Sequence, residues 1–185
     1  MKELSLNILD IAENSVKAGA EHILIRVADG EDGRRILTIR DDGSGMTPDF
    51  LARVTDPFTT TRTTRPVGLG LPLLKLAAEQ TGGALQINSR HESLHPEDHG
   101  TEVIATFDTR HLDCQPLGDL ASTIMTLLQG HPDVNWRFEP SVPAGEQGRD
   151  TAEMKEILGD IPLNDPEVLL WARDYWNQSP EEEEA

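Results

Sequence analysis

Asp41-Asp42-Gly43-Ser44-Gly45-Met46 follows directly on an apolar run at residues 36–39. A strand that ends in an acid and two glycines can aim a carboxylate into a pocket while the backbone turns closely behind it. That arrangement suits recognition of a purine amino group, which donates hydrogen bonds. Because an ordinary turn can carry the same residues, the interpretation depends on three further motifs elsewhere in the chain.

The composition is typical of a soluble globular protein. At 185 residues, the chain is long enough for one domain with a full core, or for one domain with a small appendage. No apolar run approaches the roughly 18 to 20 residues of a membrane span, and the first residues lack the basic and apolar regions of a signal peptide. The single cysteine, Cys114, excludes an internal disulfide. We therefore expect a cytoplasmic protein with no membrane partner.

The negative charge of the chain is concentrated at its C-terminal end. The formal net charge is −17, and residues 111–185 carry 16 acidic against 4 basic side chains, whereas residues 1–110 carry 17 against 12. Binding to nucleic acid needs clustered Lys and Arg, so we expect no nucleic-acid partner. The acidity is typical of a solubility adaptation. An acidic docking surface for a basic protein partner is the alternative.

The order of predicted elements indicates an α/β fold. Helices are predicted at residues 4–18, 46–54 and 69–80, and strands at residues 21–28, 35–40, 84–90 and 101–109. A helix followed by strand pairs that further helices separate predicts a mixed sheet with helices on one face.

The pattern changes after about residue 110. Helices are predicted at residues 117–128, 152–158 and 166–176, a strand at residues 134–138 and a polar linker at residues 140–150. We therefore divide the chain into a first domain at residues 1–110, an acidic C-terminal α/β extension at residues 111–178 that could pack on it, and a disordered acidic tail at residues 179–185.

The first partner motif lies on the N-terminal helix. Asp10, Asn14 and Lys17 are spaced i, i+4 and i+7, so they share one helical face. An amide oxygen can ligate Mg²⁺, which prefers oxygen donors. An ammonium group can neutralise phosphate, and a carboxylate can orient a water molecule. A solvated helix face with an i, i+4 pair is the alternative.

The second partner motif is Pro66-Val67-Gly68-Leu69-Gly70-Leu71. Two glycines at the start of a helix let backbone N–H groups approach an anion, which the helix dipole also favours. It is not a Walker motif, because no Gly-Lys-Ser/Thr follows. A simple turn before a helix is the alternative.

The third partner motif is Asp56-Pro57-Phe58-Thr59-Thr60-Thr61-Arg62. A Thr-rich loop with one aromatic anchor and a basic end predicts a movable lid. Phe58 would pack against the body, and Arg62 could reach a terminal phosphate. An ordinary surface loop is the alternative.

In this order, the four motifs resemble the ATP-binding boxes of the GHKL superfamily, which includes gyrase, the heat-shock chaperone, histidine kinases and MutL. The resemblance covers about residues 4–108 and implies a two-layer α/β sandwich of the Bergerat type. It implies ATP and Mg²⁺ as ligands, with Asp41 bound to the adenine amino group and Asn14 bound to Mg²⁺. The implied ATP-binding residues are Asn14, Lys17, Asp41, Gly43, Gly45, Phe58, Thr60, Arg62, Gly68, Leu69, Gly70, Leu71 and Thr101.

Two details distinguish subfamilies. The segment Glu13-Asn14-Ser15 is similar to MutL, and MutL, gyrase and the chaperone carry a general-base Glu four residues before the Asn. Asp10 stands at that position as the candidate catalytic residue, but it is one methylene shorter, which leaves its reach to a water molecule open. Lys17, the lid motif and the second glycine motif are similar to histidine kinases.

The resemblance implies a regulatory protein kinase that acts in trans on a protein partner. Only 13 residues precede Asn14, so we do not expect the helical hairpin that carries the phosphoacceptor of a histidine kinase. The alternative is a non-kinase ATPase or an ATP-sensing regulatory or assembly subunit. The C-terminal residues, from Pro116-Leu117-Gly118-Asp119-Leu120 to Ile157-Leu158-Gly159-Asp160-Ile161-Pro162-Leu163-Asn164, resemble small stand-alone ATP-binding proteins found alongside multisubunit iron-only hydrogenases, which implies a link to such an enzyme. A homodimer stays open. His91, His95 and His99 fit a solvated hairpin loop better than a metal site, since Pro96 interrupts any helix that would align them.

Overall fold

The structure is a computed structural model that describes residues 3–56, 69–139 and 149–177. Six strands form one mixed sheet in the order β3-β4-β2-β1-β5-β6. Neighbouring strands are antiparallel, except that β5 runs parallel to β1. The strands are β1 His22–Asp29, β2 Arg34–Asp41, β3 Leu85–Arg90, β4 Gly100–Asp108, β5 Asn135–Glu139 and β6 Arg149–Asp150.

The helices form a second layer. Helix α1 packs between α3 and α4, and α4 also packs against α6. None of the helices in the described ranges is long and apolar enough to cross a membrane. The helices are α1 Leu4–Lys17, α2 Pro48–Leu51, α3 Gly70–Gln80, α4 Leu120–Gly130, α5 Thr151–Leu158 and α6 Pro166–Asn177.

Alternation along the strands explains why one face of the sheet carries the helices. Ile23, Ile25 and Val27 of β1 are buried, whereas Arg26 between them is exposed. Since successive side chains of a strand point to opposite faces, the apolar set lies under the helices. The predicted mixed sheet with helices on one face is therefore confirmed.

Helix α1 is placed by one apolar stripe. Leu4, Ile8 and Ile11 recur at helical spacing and are at most 3% exposed; burial of each side chain contributes roughly 1.5 to 3 kcal/mol. The helix ends before Gly19, whose φ of 76° is in the left-handed region that favours glycine. The last turn of α1 is thereby held against the sheet beside the end of β2.

The C-terminal block, defined here as residues 111–177, extends the same sheet. Strand β5 pairs with β1, and Trp136 and Phe138 of β5 are buried in the core shared with α1. Their rings stack with centroids 6.2 Å apart. Helix α4 packs on the side of α1 away from α3, so the C-terminal block flanks the helix that carries Asn14.

Three elements differ from the sequence prediction. The helix predicted at residues 46–54 is restricted to α2, which buries none of its side chains, so packing does not extend it. Helix α4 begins only at Leu120, because Gly118 has a φ of 79° and the Asp119 carboxylate caps the helix. Residues 149–150, predicted as linker, form β6 beside β5, a pairing that local sequence does not encode.

Candidate functional site

Asp41 ends β2 with its carboxylate directed at the helix layer. The Ser15 hydroxyl of α1 donates to Oδ2 at 2.5 Å. The backbone N–H groups of Gly43 and Thr101 donate to Oδ1 at 3.0 and 3.2 Å. Asp41 and Thr101 are also register partners across β2 and β4, so sheet pairing brings these two predicted site residues together.

Burial makes the Asp41 carboxylate responsive to an additional donor. Burial raises the pKa of Asp41 above its usual value, although the hydrogen bonds from Ser15, Gly43 and Thr101 act in the opposite direction. A carboxylate that is still under-solvated gains from another N–H donor. The amino group of a purine is such a donor.

Asp42 has a different role from its neighbour. It accepts backbone hydrogen bonds from Glu21 and His22 at 2.8 and 2.9 Å, and the His22 ring lies 2.8 Å from its other oxygen. Burial opposes ionisation of Asp42, yet the hydrogen bonds from His22 and Glu21 hold its pKa below its usual value. Asp42 therefore fixes the start of β1.

A polar row crosses the inner face of the sheet beside Asp41. Ser89 is the register partner of Thr101, and their hydroxyl oxygens are 2.8 Å apart. The Ser89 hydroxyl also accepts the N–H of Met46 at 2.8 Å. Sequence reasoning missed Ser89 as a site residue. The signal was present, because Ser89 continues an inward alternation that is otherwise apolar, at Leu85 and Ile87.

Ser15 is the second residue that sequence reasoning missed. It lies on the stripe that Ile8 and Ile11 bury, and it is 4% exposed. A polar residue at a buried helical position needs a hydrogen-bond partner, and Asp41 supplies it.

Close contact of the backbone with the rest of the chain explains the two glycines in residues 41–46, referred to below as the acidic motif. Gly45 has a φ of 67°, and a Cβ atom there would lie 2.0 Å from the Arg90 carbonyl oxygen. A Cβ on Gly43 would lie 2.9 Å from the Cβ of Ala18. Both glycines therefore let this turn pack on protein atoms, which positions Asp41 indirectly.

The loop between β3 and β4 holds the acidic motif from its other side. The His99 ring nitrogen Nδ1 lies 2.7 Å from the Gly43 carbonyl oxygen. The backbone N–H of Glu92 donates to the Ser44 carbonyl oxygen at 2.9 Å. His99 therefore supports the turn, and His91 contacts Ser93 within the same loop.

Helix α3 begins directly against Asp10. A Cβ atom on Gly70 would lie 2.1 Å from Asp10 Oδ2, so the carboxylate of α1 lies over the first residue of α3. Leu71 is buried, whereas Leu69, which precedes the helix, is 52% exposed. The structure thus brings Asp10 of the first partner motif to Gly70 of the second, at the N-terminal end of α3, where the helix dipole favours an anion.

Asn14 and Lys17 lie in the last turns of α1. Asn14 is half-buried and Lys17 is exposed. Within residues 3–56, 69–139 and 149–177, neither side chain has a hydrogen-bond or ion-pair partner. An amide oxygen without a competing partner fits the oxygen donors that Mg²⁺ prefers. Lys17 also suits the C-terminal end of a helix dipole, which is its simpler explanation.

A cleft of about 1390 Å³ opens beside Asp41. Its inner wall includes Leu51, Ile87 and Thr101, and it continues around the end of the sheet to outer-face residues such as Arg40. This volume exceeds the 300 to 1,000 Å³ typical of ligand pockets. Much of its lining lies on the outer face of the sheet, and none of Asp10, Asn14 and Lys17 lines it, so the volume describes an open groove with Asp41 at its edge. Phe58, Thr60, Arg62 and Gly68 of the predicted site lie outside the described residues.

Comparison with known proteins adds sequence relatives. Residues 2–111 match the sequence profile of the histidine kinase-, DNA gyrase B- and HSP90-like ATPases. A protein named as an NtrY-like sensor histidine kinase of Rickettsia prowazekii is 26% identical over 112 residues, which are 60% of this chain and 18% of the relative. Sensor protein SrrB of Staphylococcus aureus is 32% identical over 94 residues, 48% of this chain and 16% of the relative. The chain thus spans less than a fifth of the length of these relatives.

Solved structures share the fold over more of the chain. The Aquifex aeolicus MutL ATPase domain complexed with ADP aligns with a TM-score of 0.56 at 12% identity, and covers 95% of this chain and 70% of that one. The N-terminal domain of a DNA repair protein aligns with a TM-score of 0.56 at 14% identity, over 81% and 52% of the two chains. The first likeness extends into the C-terminal block.

The profile match covers more than half of this chain, and the MutL domain shares its mixed sheet and helical layer. The chain therefore belongs to the histidine kinase-, DNA gyrase B- and HSP90-like ATPase family, and residues 2–111 form a histidine kinase-like ATP-binding domain.

Proposed function

We propose that this protein binds ATP with Mg²⁺ and phosphorylates a protein partner in trans, as a regulatory kinase. The observation that carries this proposal is the Asp41 carboxylate, which Ser15, Gly43 and Thr101 hold at the edge of the cleft of an ATP-binding domain. The sensor kinases among its sequence relatives support the choice of a kinase.

Asp41 would bind the adenine amino group. The carboxylate accepts hydrogen bonds, and burial leaves it in need of a further donor. Thr101 and Ser89 place two hydroxyl groups beside it for contacts with ring nitrogens or water. Met46 and Ile87 are partly buried against the core, and they provide apolar surface for the base.

The phosphates would lie toward the N-terminal end of α3. There the helix dipole favours anions, and Lys17 could supply a positive charge from α1. Asn14 would hold Mg²⁺, which neutralises charge that builds up on the transferring phosphoryl group. In-line transfer of that group to the partner needs positioning by the protein more than covalent chemistry. Arg62 of the lid motif is the proposed contact with the terminal phosphate.

Hydrolysis of ATP is the second candidate function, and Asp10 is the observation that favours it. Its carboxylate lies over Gly70 at the start of α3, next to the proposed phosphate position. A carboxylate there could orient and deprotonate a water molecule, or a hydroxyl group of a substrate. The protein would then act as an ATPase or as a regulator whose affinity for a protein partner depends on the bound nucleotide.

Incubation with γ-labelled ATP separates these functions. The protein is tested alone and with proteins that copurify with it, and the Asn14→Ala variant serves as the matched control. Stable label on a protein, absent with Asn14→Ala, supports the kinase. Release of free phosphate without labelled protein supports the ATPase. Binding without turnover supports a nucleotide sensor and contradicts the proposed kinase.

A further inference from the structure

The turn that carries Asn14 is attached to the rest of the molecule on two sides. Ser15, the next residue, donates to Asp41 of the sheet at 2.5 Å. The carboxylate of Glu13, the preceding residue, contacts the His131 ring, and Glu13 Oε1 lies 2.9 Å from His131 Nε2. Successive residues of a helix are about 100° apart around its axis. The Asn14 side chain therefore points between those of Glu13 and Ser15, both of which are held by hydrogen bonds to other elements.

His131 is itself fixed to the core of the C-terminal block. The backbone N–H of His131 donates to the Leu127 carbonyl oxygen at 2.9 Å, at the end of α4. Its own carbonyl accepts the indole N–H of Trp136 at 3.2 Å, and the Trp136 side chain is fully buried. The side chains of His131 and Glu13 are 25% and 33% exposed, so their contact is partly shielded from water. A continuous path therefore leads from the core of the C-terminal block to the residue beside Asn14.

We propose that His131 is a positioning residue of the nucleotide site, which acts through Glu13 to fix the direction of the Asn14 amide toward the phosphates and Mg²⁺. This inference rests on the proposed function, in which Asn14 holds Mg²⁺. It assigns the C-terminal block a role that lies beyond residues 2–111, the part matched by the family profile. His131 itself contacts neither the nucleotide nor Mg²⁺; it limits rotation of the last turn of α1.

The location of the two attachments predicts which part of the nucleotide is affected. Ser15 contacts Asp41, the proposed adenine partner, whereas the contact between Glu13 and His131 involves no residue of the proposed adenine site. Loss of the Glu13–His131 contact should weaken binding of the phosphate-bearing nucleotide. It should leave adenosine, which has no phosphates, unaffected. A general loss of folding would instead weaken both ligands together.

The test compares Mg·ADP and adenosine binding by calorimetry in the full chain. His131→Ala and Glu13→Ala are each expected to weaken Mg·ADP binding about two- to five-fold, the size of one partly exposed side-chain hydrogen bond. Adenosine affinity should not change, and the double variant should be no weaker than either single variant. His131→Gln, which keeps a donor, should restore most of the affinity. His111→Ala is the matched control, because His111 lies beside Asp113 and is exposed.

A second measurement does not depend on nucleotide binding. The Ala18 N–H donates to the Asn14 carbonyl at 3.0 Å, so its hydrogen exchange reports on the last turn of α1. In the ligand-free protein, His131→Ala should accelerate this exchange several-fold, while amides of β4 stay unchanged. If the wild type bound neither ligand, the proposed function would fail while exchange still tested the attachment. Unchanged exchange, unchanged Mg·ADP affinity, or equal loss of adenosine affinity would each overturn the proposal.

Discussion

Ser15 Oγ donates a hydrogen bond to Asp41 Oδ2 at 2.5 Å and joins the last turn of α1 to the end of β2. The two residues are 26 positions apart in the sequence, and the contact lies between the two layers of the fold. It connects α1, which carries the residues proposed to lie near the phosphates, with Asp41, the proposed partner of the adenine amino group. The stability and the nucleotide affinity of the protein should therefore both depend on it.

Replacement of Ser15 by alanine removes one of the three donors to Asp41. Ser15 is 4% exposed and Asp41 is half-buried, so the change removes a partly shielded hydrogen bond, at a cost of about 1 kcal/mol in the free energy of unfolding. ADP affinity should fall several-fold, since the carboxylate is less well oriented. Urea unfolding and calorimetry measure the two effects. Ser93→Ala, in the exposed loop, is the control; equal stability of Ser15→Ala and wild type would contradict this role.

The raised pKa of Asp41 predicts opposite pH trends for folding and for binding. Burial raises the pKa above the usual 3.8, so the folded protein binds more protons at Asp41 than the unfolded chain does between these two pKa values. As pH falls through the folded pKa toward 3.8, the contribution of Asp41 to stability should therefore increase. ADP affinity should decrease over the same interval, because protonation removes the acceptor of the adenine amino group.

Unfolding of wild type and Asp41→Asn across this pH interval measures the first trend. The variant cannot titrate at this position, so the stability of wild type relative to the variant should rise as pH falls. A constant or falling difference would show that burial does not dominate at Asp41. Calorimetric titration with ADP at the same pH values measures the second trend.

Asp42 should show the reverse dependence. Burial opposes its ionisation, but hydrogen bonds from His22 and Glu21 lower the pKa of Asp42 below 3.8. Its contribution to stability is therefore present above pH 3.8 and is lost as pH falls through the folded pKa. Asp42→Asn should destabilise the protein by no more than about 1 kcal/mol, because solvent screens this side chain, which is 43% exposed. Its ADP affinity should stay at the wild-type level, and a large loss of affinity would place Asp42 in the site.

Gly70→Ala tests the contact between α1 and α3. The added Cβ would lie 2.1 Å from Asp10 Oδ2, so the carboxylate would have to rotate away from the start of α3. We expect less than about 1 kcal/mol of lost stability, because a flexible side chain can move, but a clear loss of ATP turnover. Asp10→Asn should abolish hydrolysis while it preserves ADP binding. Full turnover in both variants would exclude Asp10 as the base.

The sheet and the position of Asp41 were predictable because they follow from local patterns. Alternation in β1 and β2 gives the buried face, and the glycines after Asp41 mark the turn. That Asp10, Asn14 and Lys17 lie on one face of α1 was predictable from their spacing in the sequence. The strand pairs β1–β2 and β3–β4 are close in sequence, so short connections specify them.

The rest depended on contacts between distant residues. The β5 strand pairs with β1 across more than a hundred residues, and no local pattern specifies that neighbour. The Glu13–His131 contact joins residues 118 positions apart. For Ser89, the missing information was the register that brings it opposite Thr101. Within its own helix or strand, none of these side chains has a pattern that indicates its distant partner.

The adenine contact of Asp41 is the central claim, and ATP affinity of Asp41→Asn tests it most directly. Asparagine keeps an acceptor for the Gly43 and Thr101 N–H groups, so circular dichroism should show a retained fold. Loss of the charged acceptor should weaken ATP binding at least about tenfold, which corresponds to about 1.4 kcal/mol. Asp42→Asn, measured in parallel, should bind like wild type. Wild-type ATP affinity in a folded Asp41→Asn protein would contradict the assignment of this site.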